Sequence, residues 1–138
     1  YGINPCFFLQ FGYLGEDWQD IQATLQMVEE LMPYDIGVSV SYPLPGTPFY
    51  EKVQNQLTER SNWTDSDELL MMYKANFSPD FYKTLHRLLH RRFRSSAAWR
   101  SFRSEYKPKE LLKGLYHGVF HLIEKRNLEK HLAVSGIK

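Results

Sequence analysis

A strand, a helix and a second strand follow one another within the first 42 residues, and this order constrains the fold more than any other feature. The apolar run Cys6–Phe11 lies between a proline and a glycine and predicts a buried strand. Asp17 is a suitable N-cap for a helix, which Pro33 ends. Residues 36–42 then alternate between large and small side chains, which predicts a second strand. The short connections predict parallel pairing with a right-handed crossover. The helix has one apolar stripe, formed by Trp18, Ile21, Leu25, Val28 and Met32.

One face of each predicted strand carries small or polar side chains. In the first strand Gln10 shares a face with Cys6 and Phe8, and in the second Ser39 and Ser41 share a face with Gly37. A parallel strand buried on both faces is normally apolar throughout. Two interpretations follow, and the residues alone leave both open. Either this face lines a cavity, or its small residues admit a closely packed helix.

The rest of the chain predicts helices. Thr47 and Pro48 suit the start of a short helix that runs to about Leu57. Residues 62–67 form a polar connector, and residues 68–77 are apolar but ambiguous between helix and strand. Two long helices begin at Ser78-Pro79 and near Pro108. The expected buried side of the first carries Phe81, Leu85, Leu88, Leu89, Phe93 and Trp99, and the second carries Leu111, Leu112, Leu115, Val119, Leu122 and Ile123.

These elements predict an α/β fold with a mainly helical C-terminal extension. We expect a first unit over residues 1–57 and the extension over residues 58–138, with the boundary near 58–66.

Charge divides the chain into two halves. Residues 1–80 hold 12 acids and 3 bases, and residues 81–138 hold 14 bases and 4 acids. Such asymmetry is typical of a nucleic-acid-binding arm, but also of two halves that face each other or face another part of a larger protein. The aromatic residues among the bases lie near core positions, so we favour the second interpretation and do not expect nucleic acid as a partner. The alternative is a non-enzymatic α/β-helical binding module whose basic helices contact nucleic acid or a partner protein.

Composition excludes several kinds of site. The single cysteine, Cys6, excludes an internal disulfide, a cysteine-cluster zinc site and a self-contained iron–sulfur site. His86 with His90, and His117 with His121, have a spacing that metals use, but the arginines around the first pair favour a solvated basic helix. No apolar run approaches the ~20 residues that span a bilayer. With no leader visible, we expect a cytoplasmic protein. No catalytic or metal-ligating residue is predicted.

Two segments resemble the radical S-adenosylmethionine superfamily. Phe8–Glu16, FLQFGYLGE, is similar to the fifth-strand segment that usually ends in Gly-x-Pro-Gly-Glu. Tyr42–Tyr50, YPLPGTPFY, is similar to the sixth-strand segment that ends in Pro-Gly-Thr-Pro. Within the superfamily, the two segments are most similar to the cobalamin-binding-domain type, which includes the anaerobic magnesium-protoporphyrin monomethyl ester cyclase group. The resemblance covers residues 2–93.

The resemblance implies a partial TIM-type barrel that acts on a small-molecule substrate. In this family a Cys-x-x-x-Cys-x-x-Cys loop binds a [4Fe–4S] cluster, which cleaves S-adenosylmethionine to a 5′-deoxyadenosyl radical. Cobalamin is a further candidate cofactor of the complete protein. The positions that match cofactor-facing residues are Gln10, Gly12, Tyr13, Ser39, Ser41 and Pro43.

This chain departs from the family pattern at two points. Leu14 occupies the usual proline position, and the cysteine triad is absent. We therefore interpret the chain as the C-terminal fragment of a longer enzyme, inactive alone and without a tightly bound cofactor. Its expected partner is the remainder of that protein, a barrel and a cobalamin domain. Self-association, or the basic helices, would cover the free barrel edges.

Overall fold

The computed structural model describes residues 2–57 and 72–134. Two strands form a parallel sheet, and four α-helices and one 3₁₀ turn account for the other regular elements of these residues. In chain order they are β1 (Cys6–Phe11), α1 (Trp18–Leu31), β2 (Asp35–Val40), α2 (Pro48–Val53), the 3₁₀ turn (Gln54–Gln56), α3 (Pro79–Glu105) and α4 (Pro108–Val134).

The predicted strand–helix–strand unit is confirmed, with parallel pairing between β1 and β2. Gln10 is the register partner of Ser39, so the two residues lie on the same face of the sheet. β2 begins one residue earlier than predicted and ends at Val40. The ladder still continues, because the Ser41 N–H donates to the Phe11 carbonyl at 2.8 Å.

The predicted helix starts are also confirmed: α4 begins at Pro108, and each of the other three helices has a capping side chain that accepts from a free backbone N–H. Asp17 accepts from the N–H groups of Gln19 and Asp20, and Asp20 accepts from that of Asp17, which completes a capping box. Thr47 caps α2 and Ser78 caps α3 in the same way, each followed by proline in the first turn.

The main core lies between one face of the sheet and the helices. Leu9, Phe11, Ile36 and Val40 point into it from the strands, and the buried residues of α1, α3 and α4 complete it. The fold is therefore mixed α/β and mostly helical. The predicted boundary at 58–66 lies outside the described residues, while residues on both sides of it share this one core. The helical contributors are Ile21, Leu25, Val28, Phe81, Tyr82, Leu85, Leu88, Leu89, Phe93, Leu128 and Leu132.

On the opposite face of the sheet β1 is open, so the strand that was predicted to be buried is buried on one face only. Cys6 and Gln10 are exposed, and Phe8 is 75% exposed. The β2 residues of this face are less exposed, since Gly37 and Ser39 are half-buried and Ser41 is buried. Phe8 lies over Gly37, where an added Cβ would stand 2.9 Å from its ring. The Phe8 ring can lie there because Gly37 has no side chain.

α3 and α4 pair antiparallel along most of their length. Trp99 contacts Gly114 near one end, and Arg87 forms an ion pair with Glu124 at 3.0 Å towards the other. Only Gly114, Leu128 and Leu132 of α4 are buried. The apolar residues predicted for this helix consequently lie mostly on its other side, in solvent.

Residues 72–77 precede α3 and form neither helix nor strand, so neither option for residues 68–77 applies to the described part of that stretch. Within the described ranges no helix has the length and apolarity needed to cross a bilayer.

Candidate functional site

The loop after β1 is held closed by its own backbone and by one carboxylate. Gly12 is buried and has a φ of 84°, a conformation that favours glycine. Its N–H donates to Glu16 Oε2 at 2.7 Å, and the Glu16 N–H donates to the Tyr13 carbonyl at 3.0 Å. Glu16 thus fixes the turn that carries Gly12 and Tyr13 at the carboxyl end of β1.

Residues 72–77 are tied to this loop across about half the sequence. The Tyr73 hydroxyl donates to the Gly12 carbonyl, and the Asn76 amide donates to the Glu16 carbonyl at 2.7 Å. The Lys74 N–H also donates to Gln56 Oε1 at 3.1 Å. Both backbone polar groups of Gly12 are therefore paired, one with Glu16 and one with Tyr73.

Burial shifts the protonation of the groups around this loop. It raises the pKa of Glu16, with a smaller rise from Asp20, while the Gly12 N–H opposes the shift. Burial also raises the pKa of Tyr73 above its ordinary value, and the Glu16 carboxylate adds to that rise. The adjacent Ser41 side chain acts in the other direction. Tyr73 is accordingly a neutral hydrogen-bond donor at neutral pH.

Three aromatic rings pack in a row beside the same loop. Tyr13 and Phe49 have ring centroids 4.6 Å apart, and Phe49 meets Tyr73 edge-on at 5.1 Å. Phe49 and Tyr73 are buried and form a second small core with Val53. Tyr13 remains 51% exposed, so part of its ring is accessible to a planar ligand.

The structure places the six residues singled out from the sequence in two groups. Gln10 and Ser39 lie side by side on the open sheet face, where Gln10 is exposed and Ser39 half-buried. The Ser39 hydroxyl is shielded from solvent yet has no hydrogen-bond partner among the described residues. The second group lies at the strand ends and comprises Gly12, Tyr13, Ser41 and Pro43, all buried except Tyr13.

Sequence reasoning did not find Tyr73 or Asn76. Both lie in the stretch that was ambiguous between helix and strand, 61 and 60 residues from their partners in the loop. No local pattern signals a hydrogen bond over that separation. Glu16 was recognised as part of a motif, but its bond to Gly12 depends on the turn geometry.

The residues present do not fit an iron–sulfur cluster. Cys6 is the only cysteine of the 138 residues, and it is exposed at the start of β1. Nor do the described residues contain a group of three or more histidine, cysteine or acidic side chains that could hold a metal ion. The exposed Gln10 amide can hydrogen-bond a polar ligand, and the Ser39 hydroxyl beside it is unpaired among the described residues.

The histidine pairs lie on basic helices but are not fully solvated. The His86 and His90 rings contact each other with centroids 4.5 Å apart. Burial and nearby arginines lower the pKa of both, and the same causes lower that of His117 and His121.

Comparison with known proteins gave no match, whether to protein-family models, to curated proteins or to solved structures.

Proposed function

We propose that this chain is the C-terminal part of a radical S-adenosylmethionine iron–sulfur enzyme, of the oxidoreductase, methyltransferase or cyclase type. β1, α1 and β2 would be strand–helix units of a partial TIM-type barrel, and the remaining helices its C-terminal extension. The cluster and its cysteines would lie in another part of the protein. On this proposal the chain alone forms no 5′-deoxyadenosine.

One observation carries the proposal. Gln10 and Ser39 are register partners on the face of the sheet opposite the main core, and the shielded Ser39 hydroxyl has no hydrogen-bond partner among the described residues. Leaving a shielded hydroxyl unpaired costs about 1–3 kcal/mol, which a ligand would recover. Ligands of α/β barrels and sheets bind at the carboxyl ends of the strands, where Gly12 and Pro43 follow β1 and β2.

The residues of this chain would bind and orient the cofactor rather than react. S-adenosylmethionine supplies, when bound and reduced, the radical that abstracts hydrogen from substrate. Gln10 and Ser39 would hydrogen-bond its polar groups, and the exposed part of Tyr13 would pack against a planar ring. Glu16 and Tyr73 would keep the Gly12 loop in one conformation.

The test is a titration of the chain with S-adenosylmethionine, followed by amide chemical shifts in nuclear magnetic resonance spectra. We expect weak binding, with a Kd on the order of 1 mM because the cluster is missing. Shifts should concentrate at Gly12, Tyr13 and Ser39. Gln10→Ala and Ser39→Ala should each raise the Kd several-fold. Gln19→Ala is the matched control, since it changes an exposed side chain of α1, and it should leave the Kd unchanged. An absence of shifts at the strand ends would refute the proposal.

A second candidate, a binding module for nucleic acid, is supported by one surface. The C-terminal part of α3 has a shallow cavity of about 820 Å³ lined by Trp99, Arg100, Arg103 and two serines. Basic side chains beside an accessible aromatic ring are typical of sites that bind single-stranded nucleic acid. Retention on immobilised single-stranded DNA over a salt series tests it, with Arg100→Gln/Arg103→Gln as the variant. Retention that does not depend on salt or on these arginines would exclude this candidate.

A further inference from the structure

α4 presents a broad apolar surface to solvent, which we call the outer face of α4. The opposite side of the helix packs on α3, where Gly114 admits the Trp99 ring. That close contact fixes the rotation of α4 about its axis, so its large apolar side chains point away from the core. The outer face consists of Leu112, Leu115, Tyr116, Val119, Phe120, Leu122 and Ile123, which are between 36% and 67% exposed.

The outer face of α4 is wider than a contact with one helix requires. At about 100° per residue, its members span an arc of roughly 160° and a length of about 17 Å. A helix packed on one neighbour typically shows an apolar stripe of about 100°. A fluid interface into which the helix sinks would cover the whole arc, whereas a single helix would leave part of it exposed.

Positive charges lie at both ends of the outer face of α4, and one exposed acid, Glu129, lies beside those at the C-terminal end. Lys109 lies at its N-terminal end, and Arg126 and Lys130 continue the same side of the helix towards the C-terminus. Two of the three acids of α4 are turned towards α3 or its own helix. Glu110 pairs with Lys113 at 2.6 Å, and Glu124 pairs with Arg87.

The same charges oppose pairing of two copies through this face. An antiparallel pair would bring Lys109 of one chain towards Arg126 and Lys130 of the other, and a parallel pair would bring like residues together. Either arrangement places cations against cations at the ends of the contact. An anionic occupant has no such cost.

We propose that the outer face of α4 binds an anionic lipid surface. The leucines, Val119 and Ile123 enter the boundary between headgroups and acyl chains, and Lys109, Arg126 and Lys130 meet the lipid phosphates. Tyr116 and Phe120 suit the interfacial region, and the Arg91 guanidinium lies over both rings. This inference is independent of the proposed function.

Co-sedimentation of the chain with vesicles tests the apolar part of the proposal. We expect binding to vesicles of phosphatidylcholine mixed with phosphatidylserine, and much weaker binding to phosphatidylcholine alone. Leu122→Ser should weaken partitioning on the order of tenfold, since one buried leucine side chain is lost from the membrane. Leu31→Ser is the matched control, because Leu31 is 61% exposed and Leu122 60%, but Leu31 lies on α1. Equal loss from both variants would overturn the proposal.

The charged part has its own variant. Arg126→Gln/Lys130→Gln should weaken binding to the phosphatidylserine vesicles, and added salt should have the same effect. Lys52→Gln, an exposed change on α2, should have none. Absence of lipid-dependent sedimentation would overturn the proposal. So would a stable dimer in light scattering that Leu122→Ser dissociates, because a second copy would then cover the face.

Discussion

Tyr73 shows how much of the loop geometry depends on one distant side chain. Its hydroxyl pairs the Gly12 carbonyl, and its ring packs against Phe49. Gly12 has a positive φ and lies buried at the carboxyl end of β1, so its polar groups need partners within the protein. Tyr73 thereby couples the strand ends to the residues that precede α3.

We expect Tyr73→Phe to destabilise the fold by about 1–2 kcal/mol, because the ring is kept and a buried hydrogen bond is lost. Urea unfolding measures the change. Tyr34→Phe is the matched control, since Tyr34 is 69% exposed and should tolerate the change within ~0.5 kcal/mol. An unchanged unfolding free energy for Tyr73→Phe would show that the Gly12 carbonyl finds another partner.

At the scale of elements, two glycines of α4 have different surroundings. A Cβ on Gly114 would lie 3.1–3.3 Å from the Trp99 indole, and one on Gly118 would lie 3.5 Å from Ser95 Oγ. The first distance is too short for a branched side chain without movement of Trp99, and the second is an ordinary contact. Gly114 is a packing residue, whereas Gly118 mainly weakens the helix.

Gly118→Ala should therefore stabilise the protein by about 0.5–1 kcal/mol through helix propensity. Gly114→Val should destabilise it by about 1–3 kcal/mol through overpacking against Trp99. Thermal unfolding followed by circular dichroism measures both. Stabilisation of similar size in the two variants would contradict the contact between Gly114 and Trp99.

The helices and strands could be predicted from the sequence more accurately than the surfaces on which they pack. Caps such as Asp17 and Ser78 act within four residues, and the apolar stripe of α1 is a local period, so both could be recognised. The outward orientation of Leu115 and Val119 could not, because the fit of Trp99 to Gly114 decides it. Tertiary packing also decides which strand face is covered. The alternation in β1 therefore indicated two different faces, but not that the face of Gln10 is open.

At the scale of the whole molecule, the acidic and basic halves of the sequence meet in the fold. Glu29 of α1 forms an ion pair with Arg92 of α3. The remaining positive charge is concentrated on the paired helices α3 and α4. Four histidines of these helices, His86, His90, His117 and His121, have lowered pKa values because of burial, with arginines as a further cause.

A lowered histidine pKa makes stability depend on pH in one direction. The unfolded chain binds protons near its ordinary pKa of 6.5, and the folded chain binds them only at lower pH. The unfolding free energy should therefore fall as pH decreases from about 7 to about 5. Glu16 acts oppositely, since its raised pKa favours the folded state most at low pH.

The variant His86→Gln/His90→Gln separates the two effects, because it keeps Glu16. Its unfolding free energy, measured by urea titration at several pH values, should decline less steeply than that of the unchanged chain. Asp35 of β2 partly opposes the shift of His90 and stays in place. If the unfolding free energy of both proteins falls equally steeply with decreasing pH, these histidines do not cause the loss of stability in acid.

The place of Phe8 over Gly37 has a consequence for how this protein can change over time. A methyl group at position 37 would lie 2.9 Å from the Phe8 ring, so a larger residue there requires the exposed Phe8 side chain to move, and the two sites are coupled. We expect descendants or ancestors of this gene that carry a larger residue at 37 to carry a smaller one at 8. Such paired exchange would be visible in any collection of orthologues, and a library of double mutants would reproduce it as compensation.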